Sequence, residues 1–404
     1  MKLLPALAFS ALLLSANTNA QSNRAYAVTS ETKGTFNWNV VREIDLATGD
    51  VVKTYYDQSL QKNFRMFTDS KVISPANPSN SNMMPMGQGV AAAAYDAKHN
   101  RLYYTPMRGT DLRYFDLNDA TGKVFYNQSQ PLFEGNRFDE ANVITRMAFA
   151  SDGYGYAITN DGKNLIRFTT DQKPAIANLG ELIDGKKNGT VSVHNQCSSW
   201  GGDMVGDAYG NLYLITMRNH IFKINPQTRI TDYIGVVSGL PAEFTSNGMV
   251  VDADGEVVLS SAAVTDSYYR VNISTLKATA IKKGTDKVYN SSDLANSNLL
   301  YQITRPTDSK FLGEVLGNSF VSIYPNPVVN KIFNVQFDRV PAGRYNLVLT
   351  DASGKNVLAK TLQINSKGQM EKVSLPKASA QGMYFIKLTG ADRKLVYSDK
   401  IIVD

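Results

Sequence analysis

Cysteine is almost missing from this chain: Cys197 stands alone among 404 residues. No intramolecular disulfide can form, so packing must hold the fold, and a thiolate zinc site lacks its ligands. Histidine is nearly as scarce, with only His99, His194 and His220. The patterns H-E-x-x-H, C-x-x-C, G-x-S-x-G, G-x-G-x-x-G and the Walker loop are all absent. Their absence removes the common signatures of metalloproteases, thiol oxidoreductases, serine hydrolases and nucleotide enzymes. No metal and no cofactor are expected. His99 and His220 each stand beside an asparagine and read as solvated turn residues.

Long apolar runs are lacking too. Beyond residue 20 nothing approaches the roughly 20 apolar residues of a spanning helix, so no transmembrane segment is expected. The first 20 residues, "MKLLPALAFSALLLSANTNA", carry one lysine, an apolar stretch from Leu3 to Leu14 and a small-residue end. That is the layout of a Sec signal peptide cleaved after Ala20. A surplus of one charge sign is also missing from most of the chain. Residues 318–404 hold 12 Lys+Arg against 6 Asp+Glu, and the other 317 residues hold 30 of each. The net +6 therefore belongs to the tail, and a neutral body argues against nucleic acid as a partner.

What is present is strand grammar. Tyrosines number 21, Gly and Asn are frequent, and helix-period stripes are rare. Three segments align without gaps: "RMAFASDGYGYAIT" from Arg146, "DMVGDAYGNLYLIT" from Asp203 and "GMVVDADGEVVLSS" from Gly248. Met147, Met204 and Met249 share one column, and Gly153, Gly210 and Gly255 share another. Looser copies begin at Ala91 and Ser292. Third and fourth strands follow most copies, as in "HIFKINPQT" and "TDYIGVV". Four short antiparallel strands repeated at this period predict a β-propeller over residues 21–305. Copies of the second strand number six and complete or shared blades number five, and six blades are favoured. The N-terminal strands lack an inner partner and the last copy lacks an outer pair, so one blade shared by both termini would close the ring. The segment from Asp57 to Gly89 shows no strand pattern and reads as a cap or contact loop.

Candidate binding residues come from the repeat. Arg146 and Asp203 hold equivalent places in two copies, and Trp200 lies just before Asp203 in "VSVHNQCSSWGGDM". At one mouth of the ring an Arg, an Asp and a Trp could line a pocket for a polar extracellular ligand. Mutual neutralisation of Arg146 and Asp203 is the plainer alternative. His194 and Cys197 in the same stretch lack the flanking signatures of a nucleophile and its base. The acidic turns at Asp116 and Asp252 lack a full calcium-loop pattern and read as turns that bond their own backbone.

From Phe320 the pattern changes to six or seven strand-like runs in a short tail, after a linker over 306–319. These runs suffice for a small Ig-like β-sandwich over 320–404, so the whole chain is expected to be all-β. Its marks are Tyr324-Pro325-Asn326-Pro327, Gly343-Arg344-Tyr345 and Asp351-Ala352-Ser353-Gly354-Lys355. Gly382-Met383-Tyr384-Phe385-Ile386-Lys387 and Lys400-Ile401-Ile402-Val403 follow. In this order and spacing the tail resembles the type A C-terminal sorting domain of the Bacteroidota type IX secretion system. The body, over roughly residues 24 to 304, resembles generically the propellers with NHL-like or YVTN-like repeats.

The tail's resemblance implies an address. Sec would export the chain to the periplasm, and the outer-membrane translocon would read the folded tail. A sortase would then remove the tail, leaving the body on surface lipopolysaccharide or released. In this reading Tyr324, Pro325, Asn326, Pro327, Gly354, Lys355, Gly382, Tyr384 and Lys387 form the sorting signal. The expected product is a secreted or cell-surface propeller that works by binding. A propeller hydrolase or lyase, and a structural or adhesive surface protein, are the alternatives.

Overall fold

Short runs buried on both faces make the inner strands of the body, as apolar stretches bounded by turns should. Val90–Asp96, Ile144–Phe149, Asp203–Gly206, Ser246–Val251 and Ser291–Ala295 are such runs. In the computed structural model the described residues are 21–60, 64–68, 71–73, 84–118, 123–171, 174–282, 286–302, 321–324, 328, 331–337, 340–351, 355–366, 369–376, 378–391 and 395–403. The expected signal peptide and linker, together with Pro325, Asn326, Pro327 and Gly354, lie outside them. The chain divides into two compact units, Met1–Thr304 and Arg305–Asp404.

Among the described residues the first unit holds five sheets. Blade I orders Ser291–Ala295, Arg24–Thr29, Val40–Asp45 and Val51–Asp57, so the last strand of the body pairs with the first. Blades II, III, IV and V open with Val90–Asp96, Ile144–Phe149, Asp203–Gly206 and Ser246–Val251. Each inner strand packs beside the next, and that of blade V meets that of blade I, closing the ring. Five hydrophobic cores fill the five gaps between blades. Between blades III and IV, for example, Tyr156, Ile158, Met204, Leu214 and Phe222 interdigitate. The methionine column lands at one register: Met147 faces Ala157, Met204 faces Leu214 and Met249 faces Leu259. Ala93 and Leu294 complete it in the other two blades.

Among the described residues the ring holds five blades, the lower of the two expected counts. The sixth copy of the second strand, after Ser297, has no slot to fill, because Arg24–Thr29 already pairs with Ser291–Ala295. Leu300 instead runs beside blade IV, bridging in parallel to Asp207 and donating its amide to Gly206 O at 3.0 Å. The segment after Asp57 is also corrected in part. Phe64–Thr68 pairs in parallel with Lys123–Pro131 and Lys71–Ile73 pairs with Phe64–Thr68, extending blade II to six strands. The alternation that buries Met66 spans only five residues, too few to stand out in sequence. Residues 74–83 of that segment lie outside the described residues.

The second unit has two antiparallel sheets sharing one core. Val321–Tyr324, Ile332–Phe337 and Gln369–Ser374 form one. Asn356–Ile364, Gly343–Asp351, Gly382–Gly390 and Leu395–Val403 form the other. Alternation works cleanly here: Phe333, Val335 and Phe337 point in from one sheet, and Leu347, Leu349, Ile386 and Leu388 from the other. Tyr345, Leu347 and Leu349 share the inward face of their strand, as their spacing predicts.

Candidate functional site

At the end of the ring where inner strands begin, a loop carries the four-residue helix Gln196–Ser199. Asn195 caps it, its side chain accepting from the amides of Cys197 and Ser198. Arg146 clamps this loop from the neighbouring blade. Its guanidinium donates to Gly201 O at 3.0 Å, to Ser199 O, and to Thr159 O and Asn160 O at 3.0 and 3.3 Å. Arg146 is 0% exposed. Burial drives its pKa down to about 9, against the opposing pull of Asp161 and Asp203. Its donors are thus spent on main-chain oxygens, and Asp203 acts on it through charge without a direct hydrogen bond.

The other loop residues are similarly engaged. His194 places Nδ1 2.6 Å from Asp161 O and Nε2 3.0 Å from Leu182 O. Trp200 is half-buried, and its carbonyl accepts from the Met217 amide. Cys197 is exposed and free. Gly202 turns the loop into its strand at φ +93°, where an added Cβ would stand 1.8 Å from Ile215 O. Gly202→Ala is therefore expected to destabilise the body by roughly 2–4 kcal/mol. The check is the denaturation midpoint read by tryptophan fluorescence, since both tryptophans, Trp38 and Trp200, lie in the first unit.

Asp203 is also 0% exposed, and its carboxylate faces inward. Oδ1 accepts from Met204 N at 2.7 Å and Oδ2 from Met249 N at 2.6 Å. The pocket expected from Arg146, Trp200 and Asp203 is corrected accordingly: two of the three are sealed in the protein, with no surface for a ligand. Their neighbouring column positions reported packing in the ring, not a mouth.

The open cleft is at the other end, where inner strands finish. It has a volume of about 560 Å³ and is lined by the turn of blade II (Asp96–Lys98), the turn of blade III (Ala150–Gly153), Thr170 and the returning chain at Ser297–Gln302. That size suits a small-molecule site. Tyr95 and Phe149 give it an apolar wall. Beside it His99 is half-buried, contrary to the solvated turn expected. Nδ1 lies 2.6 Å from Asp96 Oδ2 and 3.1 Å from Thr170 Oγ1. Acid and hydroxyl thus meet the same ring nitrogen, whereas a relay to a nucleophile needs opposite ones. His220 lies within a strand rather than a turn, 3.2 Å from the Tyr233 hydroxyl, with its pKa lowered by burial. The acidic turns behave as expected: Asp252 accepts from the amides of Asp254 and Glu256 and meets Arg270 Nε at 2.8 Å, and Asp116 accepts from Asn118 N.

In the second unit the described signature residues lie in strands or at their ends. Tyr384 is buried and donates its hydroxyl to Ala380 O at 2.6 Å. Gly382 sits at φ +144°. Lys355 and Lys387 are exposed, and Tyr324 ends the first strand. Lys355, Gly382 and Tyr384 converge on a cleft of about 640 Å³ together with Asp351.

The family described as "Secretion system C-terminal sorting domain" matches residues 322–404. Those residues are a type IX C-terminal sorting domain. The chain carrying it is exported through that system to the cell surface or the extracellular space. No helix among the described residues is long and apolar enough to cross a membrane. A search of curated proteins found no match. Among solved structures, PorZ, a surface component of the type IX secretion system of Porphyromonas gingivalis, is 14% identical. That match covers 94% of this chain and 51% of PorZ at a TM-score of 0.32. Virginiamycin B lyase from Staphylococcus aureus is 11% identical over 95% of this chain and 96% of its own, with a TM-score of 0.35. A streptogramin B lyase is 12% identical over 67% and 86%, also at 0.35. These scores are too low to carry an argument about what the body does.

Proposed function

We propose that the propeller body is an extracellular binding module, and that its ligand is a small hydroxyl-rich molecule, or the end of a polymer of such units, held in the cleft at the strand-end mouth. The observation that carries this reading is the cleft itself: about 560 Å³, with Lys98, Ser151, Asp152, Thr170 and Ser297 set around the Tyr95 and Phe149 rings. Mixed polar groups around an apolar wall are the usual make-up of a small-ligand site. The shared nitrogen contact at His99 supports binding over hydrolysis. Delivery outside the cell by the sorting domain places such a module where free sugars and glycan ends are met.

The test uses the protein as it is recovered after export and an array of mono- and oligosaccharides. Ser151→Trp, which fills the cleft, and Lys98→Glu are each expected to weaken capture about tenfold or more, near 1.4 kcal/mol. Trp200→Ala is expected to leave it unchanged. Capture unaffected by both cleft variants, or turnover of a captured glycan, would refute the reading.

A further inference from the structure

On the ring axis lies an acid pair that the binding site does not use. Each inner strand pairs through one edge with its second strand and turns the other edge toward the axis. The amides of Met204 and Met249 donate to the Asp203 carboxylate at 2.7 and 2.6 Å, and those of Leu294 and Met147, from two further blades, also favour its charge. Asp293 occupies the equivalent position of the closing strand, one residue before Leu294 as Asp203 is one before Met204. It is 0% exposed, and neither carboxyl oxygen has a donor in hydrogen-bonding geometry, although the Ala93 amide favours its charge.

Among the described residues no cation pairs with the second acid. Arg146 interacts with both Asp203 and Asp161 through charge but gives its donors to main-chain oxygens. At the equivalent positions blades II and V present Ala92 and Gly248, and the paired strand presents Val28. One set of amides can hold one negative charge; a second carboxylate in the same dry space must be neutral.

We propose that Asp203 carries the charge and Asp293 the proton of a coupled acid pair, so that closure of the ring is linked to proton uptake at Asp293. Burial first, and the charge on Asp203 second, hold Asp293 well above the ordinary carboxylate range. Burial raises Asp203 as well, but there the four amides oppose it. Asp293 also sits on the strand that joins the two ends of the body, between Arg24–Thr29 and the axis. An unpaired charge there strains the closure itself.

The sign of the linkage follows. The folded chain holds the proton at pH values where the unfolded carboxyl, near 3.9, has lost it. Stability from this group is full below about pH 4 and is lost as pH rises toward the elevated folded value. Within that window one linked proton changes the folding equilibrium about tenfold per pH unit. The experiment is equilibrium denaturation of the full chain at a series of pH values between 5 and 9, read by tryptophan fluorescence. Asp293→Asn, which mimics the protonated acid, is expected to be more stable than the parent at pH 8. The difference between the two should shrink toward pH 5. Asp203→Asn is expected to be less stable than the parent throughout, because an amide cannot accept at both oxygens. Asp293→Asn showing the parent's pH slope, or lower stability than the parent at pH 8, would overturn the proposal. So would stabilisation of the parent, but not of Asp293→Asn, by added calcium or sodium chloride, which would mean an ionised pair holding a cation.

Discussion

Removing residues 322–404 is expected to abolish the protein's appearance at the cell surface and in the medium, while a folded body accumulates in the periplasm. The body's five interblade cores are built from residues between Ala25 and Leu300, and the sorting domain's core from residues between Val321 and Val403. Among the described residues each core is built within its own unit, so truncation removes the address and leaves the propeller its packing. Fractionation with immunodetection reads the location. A protease-resistant body in the periplasmic fraction reads its folding, because cleavage of a folded domain tracks how seldom it opens. Surface display of the truncated chain at the level of the full chain would sink the assignment of the export route. A finer version changes only Tyr384. With its hydroxyl bonded to Ala380 O and its ring buried beside the cleft of Lys355 and Gly382, Tyr384→Ala should unmake that end of the domain and reduce export.

The sorting domain was legible because its marks are local. A tyrosine that bonds back four residues, a turn at Asp351 and strands of strict alternation are all written within a few positions of each other. The propeller's repeat was legible for a related reason: one packing site recurs in every blade, so Met147, Met204 and Met249 recur with it. Blade number was not, because it turns on a pairing between Ala27 and Leu294 across almost the whole body. No local pattern says which of two candidate second strands wins that edge. The burial of Arg146 and Asp203 was hidden for the same cause. Arg146 and Asp203 were recognised as equivalent polar positions, but whether such residues face water or a ring of main-chain groups depends on the closed ring. The cleft draws Lys98, Ser151 and Ser297 from three separated segments, none of them unusual alone. Asp293 did leave a signal: Asp293-Leu294 repeats Asp203-Met204 in the same column of the last copy.

Arg146→Met is expected to lower the stability of the body by about 3 kcal/mol, the largest loss from any single side chain at the loop end. Two effects compete. A buried guanidinium is costly, as its lowered pKa shows, and an apolar side chain of similar length relieves that cost. Against this, the change strands Gly201 O, Asn160 O and Ser199 O, and leaves Thr159 O with only the Gly162 amide. These carbonyls belong to two turns from different blades, and an unpaired buried carbonyl costs about 1–3 kcal/mol. Three stranded acceptors outweigh the relief. Arg146→Lys keeps the charge but not the fork, and should fall between parent and Met. The same clamp holds the Asn195–Gly201 loop in place, so its loss should also free that loop. Cys197 is already exposed at the loop's short helix, and its rate of alkylation should rise in Arg146→Met under conditions where the body stays folded. A midpoint within about 0.5 kcal/mol of the parent, the ordinary range for a surface substitution, would show that the guanidinium is not the clamp.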